Sequence, residues 1–233
     1  MIDIHCHMLF GVDDGADSLE ESVKLLADAR KQGVTDVILT PHLRHGMFHY
    51  DRALVDRNFQ SLLPYAEKIG IHLYLGCEYH VNTEIMDAYG NGKFHSLADR
   101  KYILTEYSSA SEYSFVVKMT QEIIRHGFVP VIAHVERYGC LREEIERVAE
   151  LQDMGAWIQI NADAVLGLEG RGTKKFCKEL LEEEWVDVIA SDTHDLKKRA
   201  CHMEKCFSYI GKKYGADYAR ELMEQKPAQI IGK

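Results

Sequence analysis

The sequence of 233 residues predicts an α/β fold, and two patterns lead to this expectation. Short apolar runs rich in Val, Ile, Leu or Tyr recur along the chain, as in strands that are buried on both faces of a parallel sheet. Segments with helix-start and helix-stop signals separate these runs. Seven strand–helix units in a chain of this length favour a closed or nearly closed β/α barrel, and a doubly wound open sheet is the alternative.

The individual elements follow from the same signals. The strands are predicted at residues 1–5, 35–40, 72–76, 102–106, 129–134, 157–161 and 186–191. Helices are predicted at residues 18–32, 51–69, 111–126, 143–154, 173–184 and 197–213, with a last one near 217–225. The first helix has the clearest signals, because Ser18 and Glu21 form a capping-box pattern and Gly33 follows its end.

The composition is that of an ordinary globular protein, with 46% hydrophobic and 28% charged residues, and we predict one domain over residues 1–233. The formal net charge of -9 argues against nucleic-acid binding through a broad basic face. No apolar run approaches the roughly 18 residues of a membrane span, and no secretory signal is visible. The six cysteines form no Cys-x-x-Cys pair, so we predict a cytoplasmic protein with reduced thiols.

Imidazole and carboxylate side chains follow six of the seven predicted strands, at the point where each strand ends. Because the carboxyl ends of the strands of a parallel barrel open on one face, we expect these groups to converge there. The eight residues are His5, His7, His42, Glu78, Glu106, His134, Asp192 and His194.

Such a cluster predicts bound metal ions. Burying eight polar groups together without partners would be costly, and cations remove this cost. A mixture of His with Asp and Glu, without a required cysteine, suits Mn, Fe or Zn. Eight ligands exceed the complement of one ion, so we predict two or three ions with bridging carboxylates. His5 and His7 lie two apart on a strand and can bind the same ion.

Longer motifs run along nearly the whole chain. They are DIHCH at 3–7, GVDDGA at 11–16, TPH at 40–42, HGMF at 45–48, GCEY at 76–79, AHVERY at 133–138, QINA at 159–162 and ASDTHD at 190–195. This set resembles the polymerase-and-histidinol-phosphatase (PHP) superfamily. It is most similar to the bacterial manganese-dependent tyrosine-protein phosphatases of capsule and exopolysaccharide gene clusters. The opening Asp-x-His-x-His is shared by many amidohydrolases, whereas the whole set is specific.

The resemblance implies a distorted (β/α)7 barrel of the PHP type, with a trinuclear site at the carboxyl ends of the strands. It implies Mn²⁺ as the metal, with Fe or Zn as alternatives, and the eight residues above as ligands. It also implies a phosphotyrosine-bearing protein as substrate, with a tyrosine autokinase that controls polysaccharide synthesis as partner. Three positions depart from the family pattern, and the loop after the second strand is expected to differ: Phe10, Leu43 and Val135.

The expected chemistry is attack of a metal-held hydroxide on phosphorus in line with the leaving phenolate. The family's phosphate-binding arginines match Arg137 and Arg199, since a guanidinium can pair with two oxygens at once. The alternative for Arg137 is a surface ion pair with Glu136. Asp14 is expected to orient a ligand histidine or the attacking water, or otherwise to form a turn with Gly15.

Three other functions stay open as alternatives, and one class of phosphatase is excluded. A small-molecule phosphatase acting on an ester such as histidinol phosphate is the first alternative. An amidohydrolase is the second, although the strand ends offer Glu78 and Glu106 where that class usually has a bridging lysine. A non-enzymatic metal-bound module is the third. A cysteine phosphatase is excluded, because no cysteine is followed six positions later by arginine.

Overall fold

The computed structural model describes residues 1–233 and confirms the predicted α/β architecture. All strand pairs are parallel. The strands are β1 (Ile2–Cys6), β2 (Asp36–Leu39), β3 (His42–Leu43), β4 (His72–Leu75), β5 (Glu78–His80), β6 (Tyr102–Glu106), β7 (Val129–Ile132), β8 (Trp157–Asn161) and β9 (Val188–Ala190).

The nine strands form one distorted barrel with seven strand positions, because β2 with β3 and β4 with β5 each occupy one position. The hydrogen-bonded orders are β1-β2-β4 and β3-β5-β6-β7-β8-β9, and only two residues separate β2 from β3 and β4 from β5. The ring closes between β9 and β1, where the backbone N–H of Asp192 donates to the carbonyl of His5 at 2.8 Å. The N–H of His7 donates to the carbonyl of Thr193 at 2.8 Å. The predicted (β/α)7 barrel is therefore confirmed, and the open sheet is excluded.

The helices cover the outside of the strands. They are α1 (Leu19–Lys31), α2 (Arg52–Ile69), α3 (Ile85–Gly90), α4 (Tyr113–Arg125), α5 (Gly139–Glu143), α6 (Glu146–Asp153), α7 (Ala162–Leu166), α8 (Arg171–Glu182), α9 (Met203–Lys213), α10 (Ala216–Arg220) and α11 (Lys226–Ile231). The hydroxyl of Ser18 accepts from the N–H of Glu21 at 3.3 Å and caps α1 as predicted. The Glu21 carboxylate accepts from the N–H of Asp17, one residue earlier than a capping box requires.

Two helix predictions were wrong at one end. The helix expected from residue 197 begins only at Met203, because the Asp195 carboxylate accepts from the N–H groups of Lys197 and Lys198 and holds them in a turn. The last helix does not stop at residue 225 but continues through a π-turn into α11. Pro227 stands in the first turn of α11, where proline is tolerated.

Two apolar clusters hold the barrel together. A cluster of 12 buried residues fills its interior, and it includes Ile4, Ile38 and Val131. A cluster of 52 lies between the strands and the helices, and it includes Val37 and Leu39 on either side of Ile38. Because alternate residues of a strand face opposite ways, one strand can contribute to both clusters, as β2 does. The packed interior leaves the carboxyl ends of the strands as the place for polar groups. None of the helices combines the length and apolar character that a membrane crossing needs.

Candidate metal centre

The eight residues at the strand ends lie together at one mouth of the barrel. Together with Asp14, they form four overlapping groups of donor atoms, and within each group all atoms lie within 4.8 Å of one another. Shared members join the groups into one cluster. The groups are His5, His7 and Asp192; His5, Glu78 and His134; His42, Glu78 and Glu106; and His7, Asp14, His42 and His194.

The donors on β1 have the spacing that one metal ion requires. Nε2 of His5 and Nε2 of His7 lie 3.4 Å apart, and each lies 3.2 Å from Oε2 of Glu78. The same nitrogens lie 3.5 and 3.6 Å from Oδ1 of Asp192. Ligands at 2.0–2.1 Å from a tetrahedral ion are separated by about 3.4 Å. The two histidines could therefore share one ion with Glu78 or with Asp192.

Several buried donor atoms in the cluster have no hydrogen-bond partner. They are Nδ1 of His42, Oε2 of Glu78, Oε2 of Glu106 and Nε2 of His194, and the first two lie 3.0 Å apart without the geometry of a hydrogen bond. An unsatisfied buried polar atom costs free energy, and native proteins contain few of them. A divalent cation would satisfy all four, and their nitrogen and oxygen chemistry suits Mn, Fe or Zn. The residues present thus fit a site for more than one ion.

The electrostatic environment keeps two central carboxylates ionised. Burial opposes the charge of Glu78, but His5 and His42 and a hydrogen bond from His134 hold its pKa well below the usual range. Burial likewise opposes the charge of Asp192, and His5, Arg137 and Arg199 hold its pKa well below the usual range. Both side chains are therefore in the state that binds a cation. Burial and the neighbouring Glu78 raise the pKa of Glu106.

The carboxylate that orients His7 is Asp13, which the sequence did not identify. Its Oδ2 lies 2.7 Å from Nδ1 of His7 and accepts from the N–H of His42 at 3.0 Å. Its Oδ1 accepts from the N–H of Gly15, so the turn predicted for Asp14 belongs to Asp13. A carboxylate on the far nitrogen is typical of metal-binding histidines. Asp14 lies 3.5 Å from Nε2 of both His42 and His194, among the donors.

Gly15 allows this loop to fold back on β1. A Cβ atom at Gly15 would lie 1.9 Å from the carbonyl oxygen of His7, which no side chain can tolerate. The N–H of Ala16 donates to the same carbonyl at 3.1 Å. The close approach brings Asp13 under the ring of His7. It explains why glycine follows the Asp-Asp pair in the motif at 11–16.

The side chains of β8 hold the candidate metal ligands in place by hydrogen bonds and are not themselves among the ligands. The side-chain oxygen of Gln159 accepts from Nδ1 of His5 and from the N–H of His134, each at 3.0 Å. Its amide nitrogen donates to Asn161, whose own amide donates to Oδ2 of Asp192 at 3.0 Å. Sequence reasoning assigned neither residue a role, although both lie in the motif QINA. One chain of amides thus links a donor on β1, a donor after β7 and a donor after β9.

Both predicted arginines reach the metal centre through Asp192. Nη1 of Arg137 lies 2.9 Å from Oδ2 of Asp192, and its Nη2 lies 3.1 Å from Glu169. Nη2 of Arg199 lies 2.9 Å from the same Oδ2. A small cavity of about 190 Å³ opens beside them, and its walls include Lys198. The two guanidinium groups are only about one-third exposed, so they are held at the mouth.

The surface ion pair considered for Arg137 and Glu136 is wrong. Glu136 is buried, and its Oε1 accepts from the N–H of Asn161 at 2.9 Å. Burial raises its pKa to about 8, against the lowering effect of Arg137. Sequence alone could not show this, because a Glu-Arg pair after a strand is also common on exposed loops.

Comparisons with known proteins agree with this site. Residues 1–232 match the family model of capsular polysaccharide synthesis proteins CpsB/CapC. The chain is 37% identical to the tyrosine-protein phosphatase CpsB of Streptococcus pneumoniae, over 99% of this chain and 98% of that protein. It is 31% identical to the tyrosine-protein phosphatase YwqE of Bacillus subtilis, over 96% of this chain and 89% of that protein.

A solved structure extends the match to three dimensions. It comes from crystal structures of YwqE from Bacillus subtilis and CpsB from Streptococcus pneumoniae, described as unique metal-dependent tyrosine phosphatases. It superposes with a TM-score of 0.89 at 29% identity, over 99% of this chain and 94% of that chain. The resemblance drawn from the motifs is confirmed, and the chain belongs to the CpsB/CapC family.

Proposed function

We propose that this protein is a metal-dependent tyrosine-protein phosphatase. The observation that carries the proposal is the convergence of a buried His and carboxylate cluster and two arginines on Asp192. Cations in the cluster and guanidinium groups beside it are the combination that a phosphoryl group needs. The similarity to CpsB and YwqE over almost the whole chain supports the same activity.

Mn²⁺ is the proposed metal, with two or three ions bound by the eight strand-end residues and Asp14. Bound ions would lower the pKa of a coordinated water and neutralise charge on the phosphoryl oxygens. Asp13 and Gln159 would keep Nε2 of His7 and of His5 directed at the ions, because each occupies the opposite nitrogen. This division between donors and supporting residues follows from their contacts.

Arg137 and Arg199 are the proposed phosphate-binding residues. Asp192 holds both guanidinium groups in place, so little reorganisation is needed when the phosphoryl group arrives. Each can pair with two non-bridging oxygens and stabilise the charge that develops there. The leaving tyrosine phenolate has a pKa of about 10 and departs more readily than an alkoxide. Help from a general acid is therefore less critical here than for an alkoxide leaving group.

The proposed substrate is a phosphotyrosine-bearing protein, with a tyrosine autokinase of polysaccharide synthesis as the partner. The family description and the names of the relatives support this class. We also propose that the chain acts as one domain in the cytoplasm. The formal charge of -9 is consistent with a partner other than nucleic acid.

Metal content and activity measured on one preparation test the proposal. Purified protein is analysed for Mn, Fe and Zn, then assayed with p-nitrophenyl phosphate and a phosphotyrosyl peptide, with and without chelator. Two or three ions per chain and chelator-sensitive hydrolysis of the peptide are expected. Hydrolysis of small esters alone would favour a small-molecule phosphatase instead. Bound metal without any phosphatase activity would contradict the proposal.

A further inference from the structure

A third arginine, Arg44, lies at the same mouth without any partner. It directly follows β3, two residues after the donor His42. Its backbone is fixed, because its N–H donates to the carbonyl of Phe48 at 3.0 Å and its carbonyl accepts from the N–H of Phe48 at 2.8 Å. Residues two apart in extended chain share a face. Arg44 therefore follows His42 on the side that faces the metal centre.

Strand register places Arg44 beside the donor cluster. His42 pairs with Glu78 and Leu43 with Tyr79, so the next step along both strands sets Arg44 beside His80. His80 in turn pairs with Glu106 on β6. Arg44 thus lies two residues beyond the donor His42, in the direction of the rim.

The lack of a partner separates Arg44 from the other two arginines. Arg137 and Arg199 each contact Asp192 within 3 Å. Arg44 forms no ion pair and no side-chain hydrogen bond, although it is only partly exposed. Glu106, which pairs with His80 on the neighbouring strand, belongs to the proposed metal ligands. A partly desolvated guanidinium without a counter-ion is free to bind an anion from outside.

The turn after Arg44 makes room for a polypeptide substrate. Phe48 stacks on the ring of His42 with their centroids 4.9 Å apart, and Met47 is 62% exposed. A cavity of about 720 Å³ lies behind this turn, lined by residues that include Leu43 and Tyr79. A cavity of this size can hold one or two side chains. Arg44 does not line this cavity, but the residues that follow it do, so a surface that can receive the residues beside a phosphotyrosine lies next to it in the chain.

We propose that Arg44 binds an anionic oxygen of the substrate at the β3 side of the mouth, in addition to the oxygens held by Arg137 and Arg199. This inference rests on the proposed phosphatase activity. Two groups of a phosphoprotein carry such oxygens, namely the phosphoryl group itself and an acidic side chain next to the phosphotyrosine. Arg44 is then a residue of substrate affinity and specificity, and the metal ions bind without it.

The test compares Arg44→Gln and Arg44→Lys with the wild-type protein, all loaded with Mn²⁺. Arg57→Gln is the matched control. Arg57 is exposed on α2 and forms no ion pair, and its substitution removes the same charge. The substrates are p-nitrophenyl phosphate, a phosphotyrosyl peptide with a flanking Glu, and the same peptide with Gln in its place. Loss of one charged hydrogen bond at a partly exposed site should raise KM about fivefold to tenfold in Arg44→Gln. The kcat value, the metal content and the unfolding temperature should stay close to wild type.

The pattern across substrates identifies the anion. A rise in KM for all three substrates assigns Arg44 to the phosphoryl group, and a rise for the Glu peptide alone assigns it to the flanking carboxylate. Unchanged KM for every substrate, an equal change in Arg57→Gln, or loss of bound metal in Arg44→Gln would overturn the inference.

A binding measurement separates this inference from the proposed function. The affinities of inorganic phosphate and of both peptides, synthesised with a non-hydrolysable phosphonate in place of the phosphate ester, are measured for the Mn²⁺-loaded proteins at equilibrium by titration calorimetry. Weaker binding to Arg44→Gln supports the inference even if the wild-type protein shows no turnover, which would contradict the proposed function alone. Equal binding to wild type and variant would overturn the role of Arg44 even in an active phosphatase.

Discussion

Asp13 holds His7 from behind, with Oδ2 of Asp13 only 2.7 Å from Nδ1 of His7. The same oxygen accepts from the backbone N–H of His42 at 3.0 Å, so one buried carboxylate connects the loop after β1 to the start of β3. Both histidines are proposed metal ligands. The contact fixes the ring of His7 and leaves its Nε2 free to bind the ion.

Asp13→Asn should weaken metal binding without unfolding the protein. Asparagine keeps the size of the side chain but removes the charge that favours the required tautomer of His7. Loss of such a supporting carboxylate typically reduces metal affinity or activity about 10- to 100-fold. The measurement is bound Mn²⁺ after dialysis against graded chelator. Asp17→Asn, at an exposed position of the same loop, is the control and should bind metal like the wild type.

Gly15→Ala should disrupt the same region through the backbone. A Cβ atom there would lie 1.9 Å from the carbonyl oxygen of His7, so the loop carrying Asp13 and Asp14 has to move away from β1. We expect loss of metal and a lower unfolding temperature. Gly90→Ala is the control, because a Cβ at Gly90 meets nothing within 4 Å. Equal behaviour of the two variants would contradict the close approach.

The sequence predicted the candidate metal ligands better than the residues that hold those ligands in place, and the reason is physical. A histidine or carboxylate at the end of an apolar strand, such as His42 or His134, is conspicuous because burial there needs compensation. Gln159 is equally buried, but a neutral amide within a strand carries no comparable signal. The adjacent residues Asp13 and Asp14 are chemically identical in the sequence. Only the path of the loop decides which of them lies behind His7.

Removing the metal should destabilise the fold. A ligand that binds only the native state at about 100 times its Kd adds about 2.7 kcal/mol, which for this chain length is a shift of about 5–10 °C in unfolding temperature. Chelator should lower the unfolding temperature by this amount, and added Mn²⁺ should restore it. Asp192→Asn should lose most of the chelator-dependent shift, because Asp192 belongs to the first donor group. An equal shift in wild type and variant would speak against the assigned ligands.

Arg137→Gln should impair phosphate handling while the metals stay bound. The guanidinium contacts Asp192 at 2.9 Å, yet a third of its surface is free to meet the substrate. Losing one donor to developing negative charge costs about 10²-fold or more in turnover. The measurement is kcat/KM with p-nitrophenyl phosphate together with metal content. Arg142→Gln, an exposed neighbour, should leave both unchanged. Lost metal in Arg137→Gln would mean that the arginine acts through Asp192 and not on substrate.

Glu136 should make stability depend on pH in a direction opposite to most carboxylates. Burial raises its pKa to about 8 in the folded state, whereas an unfolded glutamate titrates near 4.3. The folded protein therefore binds more protons than the unfolded chain between these two values, and this contribution to stability falls as pH rises through the interval. Glu136→Gln keeps an oxygen for the N–H of Asn161 and removes the titration.

The difference in unfolding free energy between Glu136→Gln and wild type should thus grow from pH 5 to pH 8 in favour of the variant. Denaturant unfolding of both metal-free proteins at several pH values measures it. Glu183→Gln is the control, since Glu183 is exposed at the end of α8 and should show no such trend. A difference that stays constant with pH would show that Glu136 is ionised in the folded protein. Asn161 would then contact two buried negative charges, Glu136 through its backbone N–H and Asp192 through its side-chain amide.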